Sequence, residues 1–146
     1  MFKGRFEHTI DAKGRVSIPS RFREIVASRY EDDRLIVTSF LEPCLLAYPV
    51  AEWQALEERV RELPRFDPAV IRLKRVLVSG ATECPIDKNG RILIPPVLRD
   101  FAGLEREMIW AGMVDNIEIW SRANWQQMFE QARGPDLSEA MGKLGL

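Results

Sequence analysis

Histidine and cysteine are scarce in this chain of 146 residues: His8 is the only histidine, and Cys44 and Cys84 are the only cysteines. The two thiols lie far apart with no Cys-x-x-Cys spacing, so neither a disulfide framework nor a zinc site is offered. Two buried, reduced thiols are expected, and no metal. A single histidine also leaves little for general acid–base chemistry, and beside Thr9 it is expected as a half-exposed strand residue. No Gly-x-Ser-x-Gly elbow, phosphate-binding loop or dinucleotide fingerprint occurs, so neither an enzyme nor a cofactor is expected. Nowhere do eighteen apolar residues follow one another, and charges interrupt the opening Met1-Phe2-Lys3-Gly4-Arg5-Phe6-Glu7-His8. No membrane segment or signal peptide is expected, and a soluble cytoplasmic protein is inferred. An excess of positive charge is missing too: 21 Lys and Arg stand against 22 Asp and Glu, a net charge of −1. Taken whole, the chain is no polycation seeking phosphate.

The charge is unevenly spread. Residues 1–30 carry Lys3, Arg5, Lys13, Arg15, Arg21, Arg23 and Arg29 against Glu7, Asp11 and Glu24, a balance of +4 that leaves −5 for the remainder. The chain is electrically polarised, with its bases near the front. With 46% hydrophobic and 29% charged residues, it falls in the range of one compact domain or two small ones.

An internal repeat sets the organisation. Residues Ile10–Arg23 lie over Ile86–Arg99 at an offset of 76, with seven of fourteen positions identical: Ile10, Asp11, Gly14, Arg15, Ile18, Pro19 and Arg23 in the first copy. Further on the offset becomes 72, setting Tyr48 on Trp120 and Trp53-Gln54 on Trp125-Gln126. Each copy reads as a strand, a tight turn, a second strand, a short helix after Pro19 or Pro95, and two more strands. A copy of about forty-five residues is near the lower limit for a core of its own, so the two are expected to bury their apolar faces against each other. Trp53, Leu56, Val60 and Leu63 form one helical stripe that Pro64 ends. Asp67-Pro68 then supplies a capping residue and a first-turn proline for a helix over Ala69–Val78. Trp53 and Trp125, at equivalent helix positions, are expected in the core. Glu57, Glu58, Arg59, Arg61 and Glu62 are expected as a solvated helix face. Residues 5–52 and 81–124 are thus the two repeats, 53–80 a helical linker, and 125–146 a terminal helix and tail; no role is assigned to the tail beyond Arg133.

The Asp-x-x-Gly-Arg turns carry the chemistry. Asp accepts a hydrogen bond from the backbone two residues on, and Gly takes a positive φ at no steric cost. Asp11 and Gly14, and Asp87 and Gly90, are therefore the turn-forming residues. Arg15 is thrown outward, with Lys13 on the turn and Lys3 and Arg5 on the preceding strand. Arg can bond guanine O6 and N7 bidentately, while Lys meets phosphate as a point charge. Lys88, Asn89 and Arg91 give the second copy a thinner version. An ordinary structural reading competes: Asp11 and Arg15 can simply pair across a hairpin that binds nothing.

The opening Met-Phe-x-Gly, the two Asp-x-x-Gly-Arg turns running into Ile-Pro, and Pro43-Cys44-Leu45-Leu46-x-Tyr48-Pro49-x-x-Glu52-Trp53 resemble the MraZ family of bacterial transcriptional regulators over nearly the whole chain. The resemblance implies an α+β, mostly β fold: two tandem SpoVT/AbrB-like swapped-hairpin repeats forming an intrachain pseudo-twofold β-barrel, with connecting and terminal helices. It implies a DNA-binding repressor of its own division and cell wall operon, nucleoid-associated, assembled into homo-oligomeric rings that engage short direct repeats of double-stranded promoter DNA. On that reading Lys3, Arg5, Lys13, Arg15 and Arg91 bind DNA. An AbrB-like assembly or antitoxin-type interaction module is the alternative.

Overall fold

A computed structural model describes residues 1–146. In the first copy, strands β1 (Arg5–Thr9) and β2 (Arg15–Ser17) flank the turn, helix α1 (Ser20–Arg29) follows Pro19, and β3 (Arg34–Ser39) and β4 (Leu45–Pro49) complete the unit. Helices α2 (Val50–Arg61) and α3 (Pro68–Leu73) connect the copies, α3 running on into a π-helical turn over Lys74–Val78. The second copy repeats the pattern as β5 (Thr82–Pro85), β6 (Arg91–Leu93), α4 (Pro96–Ala102), β7 (Glu107–Gly112) and β8 (Ile117–Ser121), followed by α5 (Arg122–Gln131) and α6 (Pro135–Gly142).

The local signals act as their chemistry requires. Asp67 accepts a hydrogen bond from the Ala69 backbone N–H at 2.8 Å, with Pro68 opening α3. The helix expected over Ala69–Val78 is present, but its second half is wound as the π turn, closed by Ser79 N–H donating to the Lys74 carbonyl at 2.9 Å. The tail forms one more helix, α6, which buries no residue fully.

Strand pairing interlocks the copies. The main sheet has the order β1-β7-β8-β4-β3-β5, so β1 of the first copy pairs antiparallel with β7 of the second, and β5 of the second with β3 of the first. Exchanging the copies leaves that order unchanged, as a twofold relation requires. The short strands β2 and β6 pair with each other in a separate ribbon, Arg15 facing Leu93 and Ser17 facing Arg91. The expected barrel is not closed by hydrogen bonding: β1 and β5 remain the edges of an open sheet. The ribbon is three residues long on each side, and Pro19 and Pro95, lacking an N–H, follow soon after each strand.

Alternation along the strands places the core between sheet, ribbon and helices. Val16 and Ile92 point inward from the ribbon, joining Phe22, Leu35, Val37, Trp110 and Ile119 in a cluster of 20 buried residues drawn from both copies. Cys44 and Cys84 are free and buried, as expected. Burial pushes the Cys84 thiol up to about 11 and that of Cys44 higher still, so neither is a ready nucleophile. His8 is half-buried on β1. The two equivalent tryptophans diverge: Trp53 is buried against Tyr48, whereas Trp125 is only half-buried. It packs edge-on to Trp120 and lies beside the edge strand β1, whose Arg5 covers its ring at 5.5 Å.

Candidate nucleic-acid interface

Both Asp-x-x-Gly-Arg turns have the same wiring. In the first, Asp11 N–H donates to the Arg15 carbonyl at 3.0 Å and Gly14 N–H to the Asp11 carbonyl at 3.0 Å. The Asp11 Oδ1 accepts from the backbone N–H groups of Lys13 at 3.0 Å and Arg15 at 2.9 Å. In the second, Asp87 Oδ1 accepts from Asn89 N–H at 2.8 Å and Arg91 N–H at 3.0 Å. These bonds to the charged form, the one from the following arginine's backbone foremost, hold both carboxyls below the usual carboxylate range. Both aspartates are ionised wherever a nucleic acid would be met.

The arginine side chains are held too. Arg15 Nε donates to Asp11 Oδ2 at 2.8 Å, and Arg91 Nε to Asp87 Oδ2 at 3.3 Å. The pairing read as the ordinary alternative is therefore real, and it does not compete with a binding role. Only Nε is engaged, so each guanidinium is tethered to its turn while its two terminal nitrogens hydrogen-bond to no residue of the chain. Period-2 alternation puts Arg15, Ser17, Arg91 and Leu93 on the outward face of the ribbon, opposite the buried Val16 and Ile92. The fold thus brings the two arginines of the two copies onto one face, diagonally across a two-stranded ribbon of a kind that fits a major groove.

The glycines have a second role beyond their positive φ of 91° at Gly14 and 77° at Gly90. A Cβ on Gly14 would lie 2.7 Å from the Ile94 carbonyl oxygen and 2.8 Å from the Arg99 guanidinium; on Gly90 it would collide with Arg23. Each turn is thus braced by an arginine from the other copy's helix, Arg99 of α4 on the first turn and Arg23 of α1 on the second. Arg99 also donates to the Ala12 carbonyl at 3.5 Å. The Nε groups of Arg23 and Arg99 are buried without a partner, as flat guanidinium planes pressed against backbone would be. Sequence reasoning assigned these two no part in the site. Their signal was there, since they are identical at offset 76, but which turn each reaches follows only from the exchange of copies.

The remaining predicted cations divide. Lys13 is exposed on the first turn, and Lys88 on the second. Lys3 and Arg5 do not join them. Arg5 begins β1, and the six residue steps to Asp11 carry it about 20 Å from the turn. Its guanidinium lies 4.8 Å from the Phe129 ring centroid and 5.5 Å from that of Trp125, a cation–π seat on α5. Lys3, further back still, is exposed where the chain crosses Gly112. No group of three or more His, Cys, Asp or Glu residues gathers to hold a metal, and no helix is long and apolar enough to cross a membrane.

An exchanged pair of hairpin repeats with a doubled Asp–Arg turn on one basic ribbon defines the class: an α+β, two-repeat protein built around a presented turn. The family model described as MraZ protein, antitoxin-like, matches this chain twice, over residues 1–76 and 77–141. A protein of Desulfitobacterium hafniense named transcriptional regulator MraZ is 42% identical over 146 residues, covering 100% of this chain and 99% of the relative. Proteins of the same name from Marinomonas sp. and Acetivibrio thermocellus are 41% and 40% identical, over 95% and 100% of this chain and 92% and 100% of their own lengths. The chain belongs to the MraZ family.

Proposed function

We propose that this chain is a sequence-specific DNA-binding transcriptional regulator that inserts the Asp11–Arg15 turn and its ribbon into the major groove. The observation that carries this reading is the tethering of Arg15: its Nε is tied to Asp11, its terminal nitrogens bond to no residue of the chain, and the ribbon register sets it on one face with Arg91. Arg15 reads guanine and Arg91 plays a secondary part, while Lys13 holds phosphate. Asp11, Gly14, Asp87 and Gly90 fix the turns, and Arg99 and Arg23 keep them from moving. Arg5 at the start of β1 and Lys3 ahead of it would meet phosphates on a different stretch of backbone from the one the turn enters.

One turn offers few contacts, so useful affinity requires several copies of the chain on several short sites, each bound contact raising the effective concentration of the next. A homo-oligomeric ring on tandem direct repeats meets that requirement, and a repressor acting at the nucleoid on its own division and cell wall operon is the role that goes with it. The relatives' name supports regulation of transcription in place of an enzymatic role. The test is a footprint on DNA upstream of the chain's own gene, followed by binding to probes holding one, two or three of the protected repeats. Affinity should climb steeply with repeat number. Equal affinity for one repeat and three would remove avidity from the mechanism. The rival reading, an antitoxin-like interaction module, draws on the family description and on the exposed helix α6; it predicts no footprint at all.

A further inference from the structure

Exchanging the two copies carries Arg15 onto Arg91 and Ser17 onto Leu93, the four residues of the ribbon's outward face. The arginines are alike; the other two are not. A reading head with identical halves suits a palindrome, because protein symmetry is mirrored in the site it reads. The tandem direct repeats proposed above have a direction instead, so some residue on this face has to tell one half of the ribbon from the other. The turns differ little, each presenting a single lysine, Lys13 in the first and Lys88 in the second. Ser17 and Leu93 differ in kind: a hydroxyl can donate to one base and accept from another, whereas a leucine can do neither.

Leu93 is 56% exposed, and its place matters more than its exposure. It stands directly opposite Arg15. Ile94 N–H donates to the Gly14 carbonyl at 2.9 Å and Ile18 N–H to the Gly90 carbonyl at 3.0 Å, so the hydrogen-bonded pairs of the ribbon are 14 with 94, 16 with 92 and 18 with 90. Arg15 and Leu93 therefore form a pair of the other kind, in which the strands approach most closely and the side chains lie about 5 Å apart at Cβ. Base pairs rise about 3.4 Å each, so a leucine at that separation meets the base step that Arg15 reads or the next one. On the major-groove edges of the four bases the one apolar feature is the C5-methyl group of thymine. We propose that Leu93 is a specificity-determining residue that packs on the methyl group of a thymine beside the guanine read by Arg15, and that its contrast with Ser17 gives the ribbon a direction on DNA. The proposal rests on the reading of the turn given above and names the base feature next to it.

The test replaces each thymine of the footprinted repeat in turn by deoxyuridine, which removes the C5-methyl group and leaves every hydrogen-bonding group of the base in place. At one thymine, adjacent to a guanine, the full-length protein should lose about fourfold in affinity per repeat, the worth of one methyl group taken out of water. Leu93→Ser makes the two halves of the face alike, and serine already occupies the matching place at Ser17, so the ribbon should still form. That variant should bind the thymine and deoxyuridine probes equally, whereas Leu93→Met, still apolar, should keep the discrimination. A parent indifferent to every deoxyuridine overturns the proposal, as does a Leu93→Ser protein that discriminates as the parent does. The second result, accompanied by a lower assembly mass, would show that Leu93 packs on another protein surface, and equally overturns contact with a base. Arg15→Ala on the same probes separates the two readings. Lost binding in that variant beside a flat deoxyuridine scan removes Leu93 alone, while retained binding removes the turn itself.

Discussion

Glu118 shows how the environment of a single residue sets the sign of an effect. It is buried on β8, its carboxylate accepts a hydrogen bond from Trp120 Nε1 at 3.0 Å, and burial, with Glu42 nearby, raises its pKa above the usual glutamate value. The folded chain therefore holds this proton more tightly than the unfolded one. Stability contributed by the protonated form is complete below the ordinary glutamate value and is lost as pH rises through the raised one. Glu118→Gln keeps the acceptor for Trp120 and removes the charge, so its melting temperature should exceed the parent's at pH 7 and match it at pH 4. An equal gain at both values would assign the effect to packing. Nothing in the sequence marks Glu118, because burial of a charged residue is decided by neighbours that are distant along the chain. Arg15 and Arg91 were legible because their turn is a local structure. The pairing of Arg23 and Arg99 with turns of the opposite copy was not.

Among the elements, the turn around Gly14 is tightly constrained by backbone as well as side chain. A methyl group there meets the Ile94 carbonyl and the Arg99 guanidinium at under 3 Å, in a backbone conformation that L-residues resist. Gly14→Ala should cost about 1–3 kcal/mol, read as a fall in the chemical denaturation midpoint. DNA binding should fall more than stability alone accounts for, since the bracing arginine is displaced with the turn. Elements with a local cause were legible: the Asp67-Pro68 start is chemistry within a few residues, and α2 ends at Arg61, just ahead of Pro64, leaving Leu63 of the expected stripe outside it and exposed. The π turn was not, since no residue in Lys74–Val78 breaks an α-helix. The tail helix was not legible either: Gly142 and Gly145 are poor helix formers, yet Pro135 opens a helix that ends at the first of them.

For the whole molecule, exchange of strands means that neither copy owns a sheet. β1 finds its only main-sheet partner in β7 and β5 finds its own in β3, while the two halves of the ribbon come from different copies. Residues 1–80 and 81–146 made separately should each lack a cooperative unfolding transition, and should regain one when mixed; a half that melts cooperatively by itself would contradict the interlocked core. The repeat made the two-copy organisation visible, but a repeat specifies what is duplicated and not which strand pairs with which. Barrel closure was expected from family resemblance, and the open order of the sheet reflects how short β2 and β6 are. The near-neutral net charge is an average over unlike regions: a basic front carrying the turn, and an acidic balance elsewhere. The decisive measurement is binding of Arg15→Ala to the footprinted upstream DNA, with the mass of the assembly recorded on the same sample. Loss of about 1–3 kcal/mol per engaged site at unchanged mass is the expected result. Retention of that DNA with parental affinity would contradict the assignment of the turn as the reading element.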